Sequence, residues 1–312
     1  MFRQKPNSGK AHVGTAAPGR PAAQRRTFFG SISLVSEHDS RKTGLARSLS
    51  KLGYCSRSQA AELIRAGRVS LNGKICRDPE TPVHLTRDQI DVDGKPIEKP
   101  QKIYLMMNKT RGLVTTASDE KGRETVYSIL ENTNEPPPWV APVGRLDKAS
   151  EGLLLLTNDS EWAARIADPE THLGKTYHVQ IARVADDELT QTLTQGIRTT
   201  NSDILRSRHV RTLRAGEKNC WLEIMLDEGK NRQIRRMFDA LGIEVLRLVR
   251  VAIGPLQLGK LQKGTFRRLT DEEKHLLERE MIKRVTKQKA SAAGNQTAPK
   301  RRKKRSRTSR KN

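Results

Sequence analysis

The chain has 312 residues, enough for about two domains at roughly 150 residues each. Its 59 Lys+Arg against 35 Asp+Glu leave a formal net charge of +24, which points to a polyanionic partner, nucleic acid before an acidic membrane surface. No apolar run approaches the roughly 18 residues of a membrane span, three scattered cysteines (Cys55, Cys76 and Cys220) make neither a disulfide scaffold nor a four-ligand zinc site, and a 4% aromatic content argues against binding that rests mainly on stacking.

Residues 1–44 are rich in Pro, Gly, Ala and Ser, hold eight basic and two acidic residues, and read as a disordered basic tail. The absence of acidic residues before Glu37, together with Arg25-Arg26-Thr27-Phe28-Phe29, has the flavour of an organellar transit peptide. No sustained amphipathic pattern accompanies it, so the expectation is a basic tail on a cytoplasmic protein. Order is expected from Leu45. Leu45, Leu49 and Leu52 mark a short amphipathic helix that Gly53 ends. Ser56 is placed to cap a second helix carrying Ala60, Leu63 and Ile64, with Gly67 at its left-handed stop. Val69-Ser70-Leu71 reads as a strand and Asn72-Gly73 as a two-residue hairpin turn; Ile90-Asp91-Val92 and Asp93-Gly94 repeat the pattern.

Arg47, Lys51, Arg57, Arg65, Arg68, Lys74 and Arg77 are spread over this unit, either as solvated charge or as a phosphate-tracking face. The order of elements decides between the two. Leu45-Ala46-Arg47, Ser56-Arg57-Ser58-Gln59-Ala60, Arg68-Val69-Ser70-Leu71-Asn72-Gly73-Lys74 and Asp91-Val92-Asp93-Gly94 make residues 45–100 resemble an S4-type RNA-binding domain. In that family the two helices present basic side chains to structured RNA. The resemblance implies binding, not chemistry.

Past a linker near Pro96–Lys102, Ile103–Lys109 reads as a strand running to a turn at Gly112. Val143-Gly144-Arg145-Leu146-Asp147-Lys148-Ala149-Ser150-Glu151-Gly152 is a glycine-bracketed loop feeding the buried run Leu153–Leu156, an arrangement that holds a polar side chain at a sheet rim. Asp147 is a turn or capping residue on one reading and a nucleophile or proton acceptor on the other. Asp159 or Ser160 caps a helix through Trp162 and Ile166 that Pro169 ends. Lys175–Ile181 alternates, with Tyr177, Val179 and Ile181 on one face and His178 on the solvent side. Cys220–Leu226 is a strand. Gly229 then turns the chain, Asn231 is placed to cap, and Ile234, Met237, Phe238 and Leu241 form an apolar helical stripe opposite Arg232, Arg235 and Arg236. Those arginines are a solvated face, or a cluster that binds phosphate and fixes a carboxylate by bidentate pairing. Residues 283–312 hold thirteen basic and no acidic residues and read as a second disordered tail, so the body between the tails keeps only +5 of the charge.

Gly144-Arg145-Leu146-Asp147 with Ser150-Glu151-Gly152-Leu153-Leu154, then Lys175-Thr176-Tyr177, then Glu228-Gly229-Lys230-Asn231-Arg232-Gln233-Ile234-Arg235-Arg236-Met237 occur in an order and spacing that resemble the RsuA/RluB-type ribosomal RNA pseudouridine synthases. The S4-type unit in front is that family's usual companion. The resemblance implies an α+β fold: the small helix–helix–hairpin domain, then a catalytic domain over 101–282 with a mixed, mostly antiparallel sheet flanked by helices. It implies isomerisation of an RNA uridine to pseudouridine, with Asp147 as the essential carboxylate, Tyr177 packing on the base and Arg235 pairing with Asp147. Arg145 matches a position near the displaced nucleotide. Ribosomal RNA or a ribosomal precursor particle is the expected partner, large-subunit 23S-type before 16S, met by a monomer without membrane attachment. The isomerisation needs no nicotinamide, flavin or metal, and neither a Rossmann glycine fingerprint nor a P-loop is present. Two rival readings are a non-catalytic RNA-binding assembly factor that keeps the fold and a DNA-binding architectural protein resting on charge alone.

Overall fold

The computed structural model describes residues 42–295 except 99–100, 118, 172 and 200–201, with the backbone alone over 284–295. Of the tails expected at 1–44 and 283–312, residues 1–41 and 296–312 lie outside the described residues, and Thr43–Gly44 form a strand paired with Pro82–Val83 rather than tail.

The first unit runs β1 (Thr43–Gly44), α1 (Leu45–Lys51), α2 (Arg57–Arg65), β2 (Val69–Leu71), β3 (Lys74–Cys76), β4 (Pro82–Val83), β5 (Ile90–Val92) and β6 (Lys95–Pro96). Ser56 caps α2 through a reciprocal box: its hydroxyl accepts from the Gln59 N–H at 3.2 Å, and the Gln59 side chain accepts from the Ser56 N–H at 3.0 Å. Asn72-Gly73 turns β2 into β3 with φ of 51° and 78°, the paired left-handed geometry that a two-residue hairpin needs. Asp93-Gly94 does the same between β5 and β6. Leu45, Leu49, Ala60, Ile64, Val69 and Val92 close over one another as the core.

The larger unit continues with β7 (Tyr104–Lys109), α3 (Tyr127–Glu131), β8 (Ala141–Val143), β9 (Glu151–Thr157), α4 (Ser160–Ala167), β10 (Lys175–Ile181), α5 (Asp187–Gln195), β11 (Ile197–Arg198), β12 (Ile204–Leu205), β13 (His209–Ala215), β14 (Cys220–Leu226), α6 (Gln233–Asp239), β15 (Val245–Ile253), β16 (Leu256–Gln257), β17 (Phe266–Arg268) and α7 (Asp271–Asn295). Its main sheet has the order β13-β14-β10-β15-β9-β7-β17, with β8 beside β9 and β16 beside β15. The fold is therefore the expected α+β arrangement. Among the described residues, all strand pairings within this sheet are antiparallel but one: β15 and β9 meet in parallel over Val249↔Glu151 and Arg250↔Gly152. That seam requires glycine. Gly152 has φ +101°, and a Cβ there would lie 2.3 Å from the Arg250 carbonyl oxygen.

Beyond the seam β9 is buried on both faces, which explains its unbroken apolar run. Leu153 and Leu155 pack with Trp162, Leu277 and Met281 of α4 and α7; Leu154 and Leu156 pack with Val126, Leu130 and Leu146. On the other side, α5 and α6 cover one face of β13-β14-β10-β15 through Leu189, Leu193, Met237 and Phe238. Tyr177 touches the cores on both sides of the seam. One boundary is corrected: over 283–295 the backbone continues α7 rather than a disordered tail. The helix is seated on the core by Leu277 and Met281, and beyond 283 its Lys, Gln and Ala residues favour continued helix.

Candidate active site

The loop 144–150 is fixed from below by one buried cation. Lys109 ends β7 with no exposed surface, and its ammonium donates to the carbonyls of Thr110 at 2.9 Å, Asp147 at 3.2 Å and Ser150 at 2.9 Å. Burial pushes this lysine down to about 8, against the pull of Asp147 and Glu151. Thr115 supports the same loop, its hydroxyl donating to the Leu146 carbonyl at 2.7 Å. With its backbone held, Asp147 sends its carboxylate into a cleft of about 620 Å³ lined by Arg145, Tyr177, Arg232, Ile234 and Arg250 among others. Its side chain is 31% exposed, so solvent or substrate reaches it.

Tyr177 reaches the cleft from β10. It lies between Ile224 of β14 and Arg250 of β15, half-buried, with its ring at the junction of the two cores. Arg250 forms the floor: its Nε donates to the Leu153 carbonyl at 2.7 Å across the parallel seam.

The third wall is the turn before α6. Gln233 is buried and spans it, donating to the Arg206 carbonyl and the Glu228 carboxylate at 3.1 Å each and accepting from the Lys230 N–H. The expected cap at Asn231 is corrected: Arg232 occupies the cap position, in the left-handed conformation at φ 47°. That twist turns Arg232 to Asp147, with 3.9 Å between Nη1 and Oδ2. Among the described residues it, and not Arg235, is the salt-bridge partner of Asp147.

The bidentate pairing expected between Arg235 and Asp147 is therefore corrected. Arg235 sits one turn further into the helix and hydrogen-bonds backbone instead, donating to the carbonyls of Ala149 at 3.1 Å and Val245 at 3.4 Å. It braces the Asp147 loop from the side. Burial and the neighbouring Arg232 and Arg111 charges lower its pKa, with Asp147 opposing. Arg236 is also not free to bind phosphate: it is held by Asp203 at 2.5 Å and Thr199 at 3.2 Å. Arg145 stands exposed on the cleft rim.

In the first unit Arg47, Lys51, Arg57, Arg65 and Lys74 are exposed, and Arg47 and Lys51 share a face of α1 at i, i+4. Arg68 departs from the expectation of a free phosphate contact, because its Nε and Nη2 donate to Asp93, at 2.8 and 2.5 Å. Arg77 folds against Gly67 and donates to the Arg65 carbonyl at 3.1 Å.

Lys109, Gln233 and Arg250 escape sequence reasoning. A lysine closing an apolar strand reads as the point where the strand meets water, and two of its three acceptors come from a loop some forty residues away. The one available signal is the Glu-Gly of Glu151-Gly152, since a glycine inside an apolar strand marks close backbone approach. Among the described residues no group of three His, Cys, Asp or Glu stands together to hold a metal, and no helix is long and apolar enough to cross a membrane.

A family model described as RNA pseudouridylate synthase matches residues 103–240, and an S4 domain model matches residues 43–90. Ribosomal large subunit pseudouridine synthase B of Bacillus subtilis is 36% identical over 73% of this chain and 93% of its own length. An uncharacterized RNA pseudouridine synthase of Aquifex aeolicus is 38% identical over 72% of this chain and 89% of its own. A crystal structure of a pseudouridylate synthase superposes with a TM-score of 0.53 at 28% identity, covering 75% of this chain and 99% of that one.

Proposed function

The chain belongs to the RNA pseudouridine synthases of the RsuA family, with an S4 domain in front, and on that premise we propose that Asp147 carries the isomerisation of a uridine in large-subunit ribosomal RNA. The observation that bears most weight is the convergence of Asp147 and Tyr177, from opposite sides of the parallel seam, on one cleft. A flipped uridine meets an aromatic ring for its base and a carboxylate for its sugar. The name of the Bacillus relative supports the large subunit over the small one.

The chemistry balances within the nucleotide. The N1–C1′ bond breaks with its electron pair going to the uracil, the base turns, C5 bonds to C1′, and the C5 proton leaves while N1 gains one. No electron acceptor or group donor enters. Asp147 has two routes: attack on C1′, giving a covalent sugar ester, or removal of a ribose proton. In either, Arg232 sits 3.9 Å from the carboxylate and Lys109 fixes the loop that carries it. Tyr177 holds the freed uracil by its face while it turns. Arg145, exposed at the rim, fills the gap the extruded nucleotide leaves. The exposed Arg47, Lys51, Arg57, Arg65 and Lys74 of the S4 domain track phosphates. The proposal extends to rRNA or a ribosomal precursor particle as the partner, met by a monomer in the cytoplasm.

Mapping pseudouridines in 23S and 16S rRNA of a deletion strain tests the assignment. One 23S site is expected to lose its modification, to regain it with the wild-type gene, and to stay unmodified with Asp147→Asn. Loss confined to 16S would overturn the substrate, and restoration by Asp147→Asn would overturn the catalytic residue.

A further inference from the structure

Among the described residues, the helices packed on β13-β14-β10-β15 are α5 and α6, on one face, and the other face is left without one. β14 alternates buried and half-buried along its length: Cys220, Leu222, Ile224 and Leu226 face the core, while Trp221, Glu223 and Met225 face outward. Cross-strand register places Arg214, Trp221, Gln180 and Arg247 in one row over four strands, with Arg211, Glu223 and His178 in the next. The guanidinium carbons of Arg214 and Arg247 lie 5.3 and 5.6 Å from the centre of the Trp221 ring.

A solvated sheet face does not by itself call for a tryptophan. Arginines on the edge strand β13 are accounted for as guards against pairing with another edge. That reason does not reach Arg247, on the fourth strand. Arg247 is also held rigidly: the buried Glu151 accepts from its Nε and Nη2 at 3.0 Å each. The acid that offsets the row is thus already committed, and Glu223 is likewise bound by Arg211 at 2.6 Å. Arg247 and Arg211 are thus paired with carboxylates, and the face presents Arg214 beside one aromatic ring.

We propose that this outer sheet face is a second RNA-contact surface, on the side of the sheet opposite Tyr177, where an unpaired base of the substrate stacks against Trp221 and a flanking phosphate meets Arg214. This rests on the reading that the substrate is ribosomal RNA. Stacking on a ring or guanidinium plane is tolerant of base identity and suits loops and single strands. The chain's own terminal residues do not fit the surface, because residues 283–312 hold thirteen basic and no acidic residues.

The test uses the full chain and deproteinised 23S rRNA from a deletion strain, with Arg214→Ala, Trp221→Leu and the pair. Trp221→Leu is expected to raise Kd and KM about tenfold, the pair further, while kcat at saturating RNA holds. Arg214→Ala is expected to lower the slope of log Kd against log salt by about one. Arg214 is on the exposed edge strand, so it keeps the test alive should Trp221→Leu fold poorly. Wild-type Kd and salt slope in both variants would overturn the surface, as would capture of an acidic protein with RNA affinity unchanged. An active wild type with unaffected variants refutes this surface alone, whereas a wild type that forms no pseudouridine in the rRNA refutes the reading beneath it.

Discussion

Replacing Lys109 by methionine separates stability from catalysis. The side chain has no exposed surface, and its ammonium serves three carbonyls, those of Thr110, Asp147 and Ser150. Two effects oppose each other. Leaving buried carbonyls without a donor costs about 1–3 kcal/mol each, though Asp147 keeps the Ser150 N–H as a second partner at 2.9 Å. Removing a buried charge recovers several kcal/mol of desolvation. The net change in stability is therefore expected to be within about 2 kcal/mol. Catalysis has no such compensation: the loop that aims Asp147 loses its anchor, and a misplacement of about 1 Å costs on the order of 10²-fold. Lys109→Met should therefore lower kcat about a hundredfold and KM for RNA little. The pH dependence gives an independent readout. Burial pushes Lys109 down to about 8, against about 10.4 for a free lysine. Between those values the unfolded chain binds the proton and the folded one does not. Wild-type stability relative to Lys109→Met is then greatest above about 10.4 and lost as pH falls to about 8, a span of up to ~3 kcal/mol. Activity runs the other way, because a neutral amine has only two donors for three carbonyls. Wild-type kcat should fall above about pH 8 and the variant should lack that limb. A kcat within twofold of wild type, or an identical pH limb in both proteins, would refute the reasoning.

Gly152→Ala should destabilise by more than about 4 kcal/mol, since its Cβ would stand 2.3 Å from the Arg250 carbonyl at φ +101°; soluble yield and urea midpoint report it. Tyr177→Leu keeps an apolar side chain against the cores but removes the ring, and should cut kcat/KM about 10–100-fold in steady-state assays with rRNA, as loss of one base stack predicts. Asp159 caps α4 and binds Lys102 at 2.7 Å and the Tyr104 hydroxyl at 2.8 Å. Burial opposes its ionisation, yet these partners hold its carboxyl below the usual range. Its contribution is present above about pH 4 and lost as pH falls through the lower folded value. Asp159→Ala should cost about 2–3 kcal/mol at pH 7 in urea unfolding, because Lys102 is left half-exposed and rehydrates, and the difference from wild type should shrink in acid.

What could be read from the residues alone was set by how local the physics was. Ser56, Asn72-Gly73 and Asp159 act within a few residues, so capping and turn rules found them, with Ser160 left as the alternative to Asp159. The run Leu153–Leu156 announced a strand buried on both faces. The Asp147, Tyr177 and Arg232–Arg236 segments were found as motifs, and the structure brings them together at one cleft. Their pairing was not legible. Whether Arg232 or Arg235 meets Asp147 depends on a single left-handed residue at 232, a conformation that no arginine advertises. Arg236 was claimed by Asp203, and Arg68 by Asp93, through contacts 33 and 25 residues apart. Lys109 is the plainest case: its role exists only once β7 and the 144–150 loop are folded against each other.

The central claim is that Asp147 performs the isomerisation. It is tested most directly by tritium release from 23S rRNA labelled at uridine C5, under single turnover with enzyme in excess. The wild type is expected to release the label of one uridine per rRNA, and Asp147→Asn to release none while binding the rRNA within about threefold of wild type, as a change of one cleft residue leaves the phosphate contacts in place. Release by Asp147→Asn at the wild-type rate, or no release by the wild type, would contradict it.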